Sequence, residues 1–229
     1  NNKFNYMYDI FLLIITFVYV GIVFLISEKV FNSESVFSRK FLHIMMGNLI
    51  FIMPFYSSNL VMAIFVTLPI AIVLFLMTDY SPIQIMDSGT THSGHNLGLF
   101  YYAFIWTILL ILFPNNLGIV ALSIGAMSYG DGFASVIGGM YGKHIYNLTG
   151  DDKTLEGSVG MFCAIMVSSL VIVGFYLLVG ANVPSFNVFN LIFIGLVATF
   201  VESISPKGLD NIMVPLSTGI LYYLLTVLL

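Results

Sequence analysis

Residues 117–143 read LGIVALSIGAMSYGDGFASVIGGMYGK. The stretch is apolar and long enough to enter a bilayer, yet it carries Asp131 near its centre. Ala126, Gly130, Ala134, Gly138 and Gly142 recur every four residues, a stripe of small side chains against which another helix can pack closely. Ser128, Asp131 and Ser135 fall on an adjacent face, so the carboxylate is expected to point into a polar crevice rather than toward lipid. Taken alone, such an Asp either locks a helix by hydrogen bonding or relays protons. The stretch predicts a membrane helix with chemistry beside it.

The rest of the chain agrees. Of 229 residues, 59% are hydrophobic and 8% charged, with a mean hydropathy of +1.01. Soluble domains run at roughly 25% charged and 45–50% apolar, so a separate water-soluble domain is excluded. A net charge of −4 with seven Lys and Arg argues against nucleic-acid binding. The single cysteine, Cys163, sits in an apolar run and permits no intramolecular disulfide. The first apolar run, Ile10 to Ile26, is too long for a signal-peptide core and lacks a small-x-small exit, so no cleavable signal is expected.

Apolar runs broken by polar punctuation give candidate spans over 8–26, 40–56, 59–78, 97–113, 117–140, 157–180, 188–206 and 212–229. The second carries His43, Gly47, Asn48 and Pro54 and is expected to tilt or break. Connections after the second, fourth and sixth runs hold no charge. Those after the first, third, fifth and seventh hold Glu28, Lys29, Glu34, Arg39, Lys40, Asp79, Asp87, Lys143, Asp151, Asp152, Lys153, Glu156, Lys207 and Asp210. That set includes every Lys and Arg except Lys3. The positive-inside rule then puts these loops in the cytoplasm and both termini outside. The expectation is an all-α, multi-pass integral membrane protein: one domain over residues 1–229, a polytopic bundle of eight transmembrane helices with a cytoplasm-facing polar pocket.

Four polar patches stand out. Arg39, His43 and Gly47 are spaced by four and share one helix face, with Lys40 beside them. Membrane anchoring by Arg39 and Lys40, with His43 as a bundle hydrogen-bonder, is the plain reading of that patch. The loop from Thr78 to Gly98 carries His92 and His95, three apart. With no Cys or third His near, it reads as a lid or substrate-entry loop rather than a zinc site. The third patch joins Asp131 to Gly142-Lys143 and Lys153-Thr154-Leu155-Glu156-Gly157-Ser158. A carboxylate for a metal, lysines for phosphate oxygens and bare backbone for close contact suit a magnesium–triphosphate, although no Walker A string occurs. The fourth is Glu202, inside an apolar run, followed by Asp210-Asn211 and Pro215. Asp210 and Asn211 suit helix capping equally well; Glu202 has no such explanation.

At these residues the sequence resembles the family of dolichol kinases, phytol kinases and the yeast-type CTP-dependent diacylglycerol kinase, itself related to phosphatidate cytidylyltransferases. The matching elements are R-K-x-x-H at Arg39 to His43, L-G-x-x-Y-Y at Leu97 to Tyr102 and G-D-x-x-A-S-x-x-G at Gly130 to Gly138. Then come G-K at Gly142-Lys143, K-T-x-E-G-S at Lys153 to Ser158 and E-x-x-S-P-x-G-x-D-N-x-x-x-P from Glu202 to Pro215. They follow family order across residues 38–216. The resemblance implies a transferase that uses CTP and Mg2+ on a polyprenol, dolichol, phytol-like alcohol or diacylglycerol. It implies metal ligation by Asp131 with Glu202 or Asp210. Phosphate contacts would come from Lys143, Lys153, Thr154 and Asn211, with Arg39 or Lys40 completing the cradle. His43 or Glu156 would accept the alcohol proton. Two departures matter. Asp151-Asp152 stand where relatives often carry more lysine, and Leu155 replaces the tryptophan common in cytidylyltransferases, which favours the kinase side. The alternative within enzymes is a cytidylyltransferase that releases pyrophosphate. A transporter would spread its polar residues through the membrane depth, whereas here they cluster on one face.

Overall fold

Apolar side chains are turned outward along most of the helices, as hydrocarbon solvation requires. In the first helix Ile10, Phe11, Ile14, Val18, Ile22 and Leu25 are all exposed, a continuous apolar face that water would not tolerate. The computed structural model describes residues 2–29, 36–83, 97–185, 187–206 and 208–228. The expected lid loop with Asp87, His92 and His95 lies outside the described residues, as do Glu34 and Lys207. Two compact units divide the chain, Asn1–Asn115 and Asn116–Leu229.

The first unit comprises helix α1 (Asn2–Lys29), helix α2 (Val36–Gly47), helix α3 (Asn59–Leu76) and helix α4 (Gly98–Leu112). Val23, Leu42 and Leu99 are buried together, with Tyr19, Phe24 and Met46 packed against them. Polar clasps fix the register of α1. Ser27 and Ser38 each donate to the other's carbonyl, at 3.0 and 2.7 Å. Tyr19 donates to the Met45 carbonyl at 2.6 Å, and the Thr16 and Tyr56 hydroxyls meet at 2.8 Å. Asp9 accepts the Ser57 amide at 2.9 Å and the Ser57 hydroxyl as well. In hydrocarbon such pairs satisfy groups that have no water to turn to. The expected span over 40–56 is helical only to Gly47. It then tightens into 3-10 turns at Asn48–Phe51 and Met53–Phe55, because Pro54 has no N–H to carry a helix onward.

The second unit contains helix α5 (Leu117–Tyr141), helix α6 (Leu155–Leu178), helix α7 (Val188–Ile204) and helix α8 (Asp210–Tyr223). Helix α5 is its axis: 83% of its central window is buried, and α6, α7 and α8 all pack on it. The small-residue stripe makes that possible. A Cβ on Gly130 would lie 2.9 Å from the Ile165 side chain, and one on Gly157 would lie 2.8 Å from the Ala134 carbonyl.

Two differences from the sequence expectation emerge. Among the described residues four helices are long and apolar enough to cross a membrane: Tyr6–Lys29, Asn59–Leu76, Leu117–Tyr141 and Leu155–Leu178. Gly98–Leu112 and Val188–Ile204 are apolar but shorter, so helix lengths alone do not yield eight crossings. A two-stranded antiparallel hairpin also interrupts the helical pattern, strand β1 (Ile145–Tyr146) on strand β2 (Lys153–Thr154).

Two glycines of α5 give opposite expectations. Gly130→Ala should destabilise by about 1–3 kcal/mol, because its methyl meets a closed wall. At Gly139 nothing lies within 4 Å of an added Cβ, so Gly139→Ala should be neutral or gain up to ~1 kcal/mol of helix propensity. Thermal unfolding of the two purified variants in one detergent checks the pair.

Candidate functional site

Three carboxylates reach one place from three elements. Asp131 closes a widened π turn in α5, Ala126–Asp131, and is 3% exposed. Such a turn inserts a residue into the helical ladder and re-aims the side chains that follow, a device common at functional sites. Glu202 lies in the last turn of α7 and is 6% exposed. That helix is closed by Ser205, whose amide donates to the Glu202 carbonyl at 3.2 Å and whose hydroxyl donates to the Val201 carbonyl at 2.6 Å. Gly208, at φ +81°, turns the chain back, and α8 opens at Asp210. Asp210 accepts the Asn211 amide at 2.8 Å, and Asn211 is itself buried. Pro215 sits inside α8 and has no N–H to give the Asn211 carbonyl. One oxygen from each of Asp131, Glu202 and Asp210 lies within 4.8 Å of the other two.

The hairpin delivers the lysine. Asn147 accepts the Gly150 amide at 2.7 Å and donates to Asp152 at 2.9 Å, which shapes the turn between the strands. Asp152, half of the acidic pair that departs from the family pattern, therefore serves the turn. Thr149 donates to the Ser205 carbonyl at 3.4 Å, tying the hairpin to the end of α7. Lys153 then donates to Glu202 Oε1 at 2.5 Å and to the Glu202 carbonyl. Burial disfavours the Lys153 ammonium. The Glu202 charge and hydrogen bond, with Asp210 and Asp131 behind them, outweigh burial and raise its pKa above the ordinary lysine value.

The remaining residues of the motif hold the hairpin. Thr154 caps α6 by accepting the Gly157 amide at 3.1 Å. Its side chain also fills the space beside Gly138 and Gly142, where an added Cβ would lie 2.8 and 2.6 Å from it. Glu156 accepts the amides of Lys143 and His144 at 3.1 and 3.3 Å and pairs with the His144 ring at 2.7 Å. Tyr146 and Ser158 join their hydroxyls at 2.7 Å.

Asp131, Lys153, Glu202 and Asp210 thus come together within the second unit, with Asn211 beside Asp210. Lys143 is exposed at the start of the hairpin, its amide held by Glu156. Arg39, Lys40 and His43 belong to helix α2 of the first unit, where Lys40 and His43 are buried. The donor set of the second unit is all hard oxygen, the kind that Mg2+ or Ca2+ takes. Carboxylates this close repel one another, and a divalent cation turns that repulsion into attraction. The residues fit such an ion. Lys153 adds a compact positive charge suited to a phosphate oxygen.

No family model matches the chain, and no solved structure does. Curated relatives do. The chain is 30% identical to a phytol kinase of Synechocystis over 145 residues, 61% of this chain and 59% of that protein. It is 33% identical to a probable chloroplastic phytol kinase 1 of Oryza sativa over 136 residues, 56% of this chain and 42% of that protein. With a probable chloroplastic phytol kinase 1 of Glycine max it shares 30% identity over 202 residues, 79% of this chain and 64% of that protein. The chain therefore spans about half to two thirds of the length of these relatives. Their similarity supports the phytol and dolichol kinase family that the motifs point to.

The ion pair gives a direct prediction. Lys153→Met strands Glu202 as a buried charge and should cost about 3–5 kcal/mol of stability. Adding Glu202→Gln removes that charge and should recover most of the loss. Denaturant or thermal unfolding of the single and double variants reads both values.

Proposed function

We propose that this relative of the phytol and dolichol kinases is a CTP-dependent lipid-alcohol kinase whose nucleotide site is built on Asp131, Glu202, Asp210 and Lys153. The observation that carries the reading is the convergence of three carboxylates from three helices on a lysine brought by the hairpin. The kinase names of the relatives supply the reaction class. In that reaction the alcohol oxygen of a membrane isoprenoid, or of diacylglycerol, bonds to the γ-phosphorus of CTP. The bond between that phosphorus and the β,γ-bridging oxygen breaks, CDP leaves, and the alcohol proton passes to a base.

Phosphoryl transfer asks a protein for positioning and charge neutralisation more than for covalent chemistry. Asp131, Glu202 and Asp210 would hold Mg2+, which when bound offsets charge on the phosphate oxygens. Lys153 presents its ammonium at the same place and already shares it with Glu202, which keeps the side chain from wandering. Asn211 and Thr154 lie next in sequence to Asp210 and Lys153, and Lys143 supplies a further cation from the hairpin's exposed edge. Glu156 fixes the Lys143 and His144 backbone and is a candidate proton acceptor. For Arg39, Lys40 and His43 of the first unit we propose the roles that the family resemblance implies. The same reading makes the chain an eight-span membrane protein with residues 141–156 on the cytoplasmic side.

Asp131→Asn keeps size and hydrogen bonding but removes the ligand charge. Transfer of labelled γ-phosphate from CTP to a lipid extract should fall by two orders of magnitude or more, about what one electrostatic contact to the transferring group contributes. The fold should survive, since a buried amide costs less than a carboxylate. Near-normal turnover of the folded variant overturns the assignment. Release of pyrophosphate with CMP retained on the lipid marks a cytidylyltransferase instead. Topology is tested separately. In a Cys163-free chain, single cysteines at Asp151 and Asn182 should label from opposite sides, Asp151 from the cytoplasm.

A further inference from the structure

The first unit holds a cleft between α1, α2, α3 and α4, with about 580 Å³ of empty space, part of it open to the surroundings. Small-molecule sites fall between roughly 300 and 1,000 Å³. Phe24, His43, Thr67, Tyr102 and Trp106 all line it, yet no polar atom is presented to the space and no Lys, Arg, Asp or Glu borders it. The polar atoms are turned into the protein. Tyr102 donates to the His43 carbonyl at 3.1 Å, and the Thr67 hydroxyl meets that of Thr107 at 2.8 Å. What faces the cleft is hydrocarbon and ring surface, with the His43 and Tyr102 rings 4.2 Å apart at 55°. Thr67 also ends the widened turn of α3, Ala63–Thr67, the kind of irregularity that accompanies functional positions.

We propose that this cleft binds the hydrocarbon chain of the lipid-alcohol acceptor, as a single isoprenoid chain; the assignment rests on the kinase reading above. A wall that offers neither donor nor acceptor accepts a chain and rejects a headgroup. Its aromatic faces suit the flat, methyl-branched alkene units of an isoprenoid, which pack on rings as rings pack on each other. A diacylglycerol brings two chains and two ester groups, whose carbonyls would enter a space with no donor to meet them. The cleft is therefore a specificity element for single-chain alcohols.

Trp106 is the chain's one tryptophan, so its fluorescence reports on this cleft alone. The probe is geranylgeraniol dibrominated at its terminal double bond, which quenches an indole only on contact. It is titrated into the full chain in nanodiscs without nucleotide or metal. The expected result is saturable quenching, relieved by unbrominated geranylgeraniol at a concentration at least tenfold below that of diolein. Ala103→Phe, which fills the cleft wall, should weaken saturation tenfold or more while Trp106 still emits. Quenching that rises linearly with probe, or equal relief by diolein, overturns the proposal. If the Phe variant does not fold, the competition on the unaltered chain decides. Phosphate transfer to an alcohol without saturable quenching removes the cleft assignment and leaves the kinase standing. Saturable quenching without any transfer supports the cleft and removes the kinase.

Discussion

Lys153 meeting Glu202 is the contact on which the chemistry of the second unit depends. A carboxylate 6% exposed near hydrocarbon is held ionised only by a partner and by hydrogen bonds. Glu202 has both in one lysine, which also takes the carbonyl of the same residue. That double grip ties the hairpin to the end of α7. Asp131 and Asp210 are then gathered around a charge already in place.

The hairpin explains why a membrane helix bundle needs extended backbone at all. A lysine on a helix would project outward from its own axis, whereas β2 runs into the N-terminus of α6 and presents Lys153 just before the cap at Thr154. Glu156 and Asn147 hold the two arms of the loop, and Gly138, Gly142 and Gly157 let it lie against α5. Position is thus set by backbone contacts around the lysine rather than by its own long side chain.

The site carboxylates were legible in the sequence because ionisable residues inside apolar runs are rare and stand out. Asp131 and Glu202 drew attention for that reason alone, and the small-residue stripe showed where α5 would be approached. Their partner was not legible: Lys153 and Glu202 are 49 residues apart, and nothing in local spacing links them. The hairpin escaped notice because two-residue strands have no periodicity to read. Thr154 and Glu156 suggested substrate contact from the resemblance, and the structure shows what each holds: a helix cap and a loop backbone. The cleft of the first unit left no mark either, since Phe, Leu, Met and Trp in a membrane protein announce nothing until they are seen side by side.

Helix α5 is the least apolar of the four long helices and the most buried. It carries Asp131, a run of glycines and serines, and little of the leucine-rich surface that lets a segment leave the translocon for lipid unaided. Its close partner α6 follows it in the chain and is far more apolar. The two are suited to enter the bilayer as a couple, the later helix recruiting the earlier one. Biogenesis of this protein would then be sensitive to the link between them, the same residues that carry Lys153. A change in the hairpin is in that sense a change in how the protein is made as well as in what it binds.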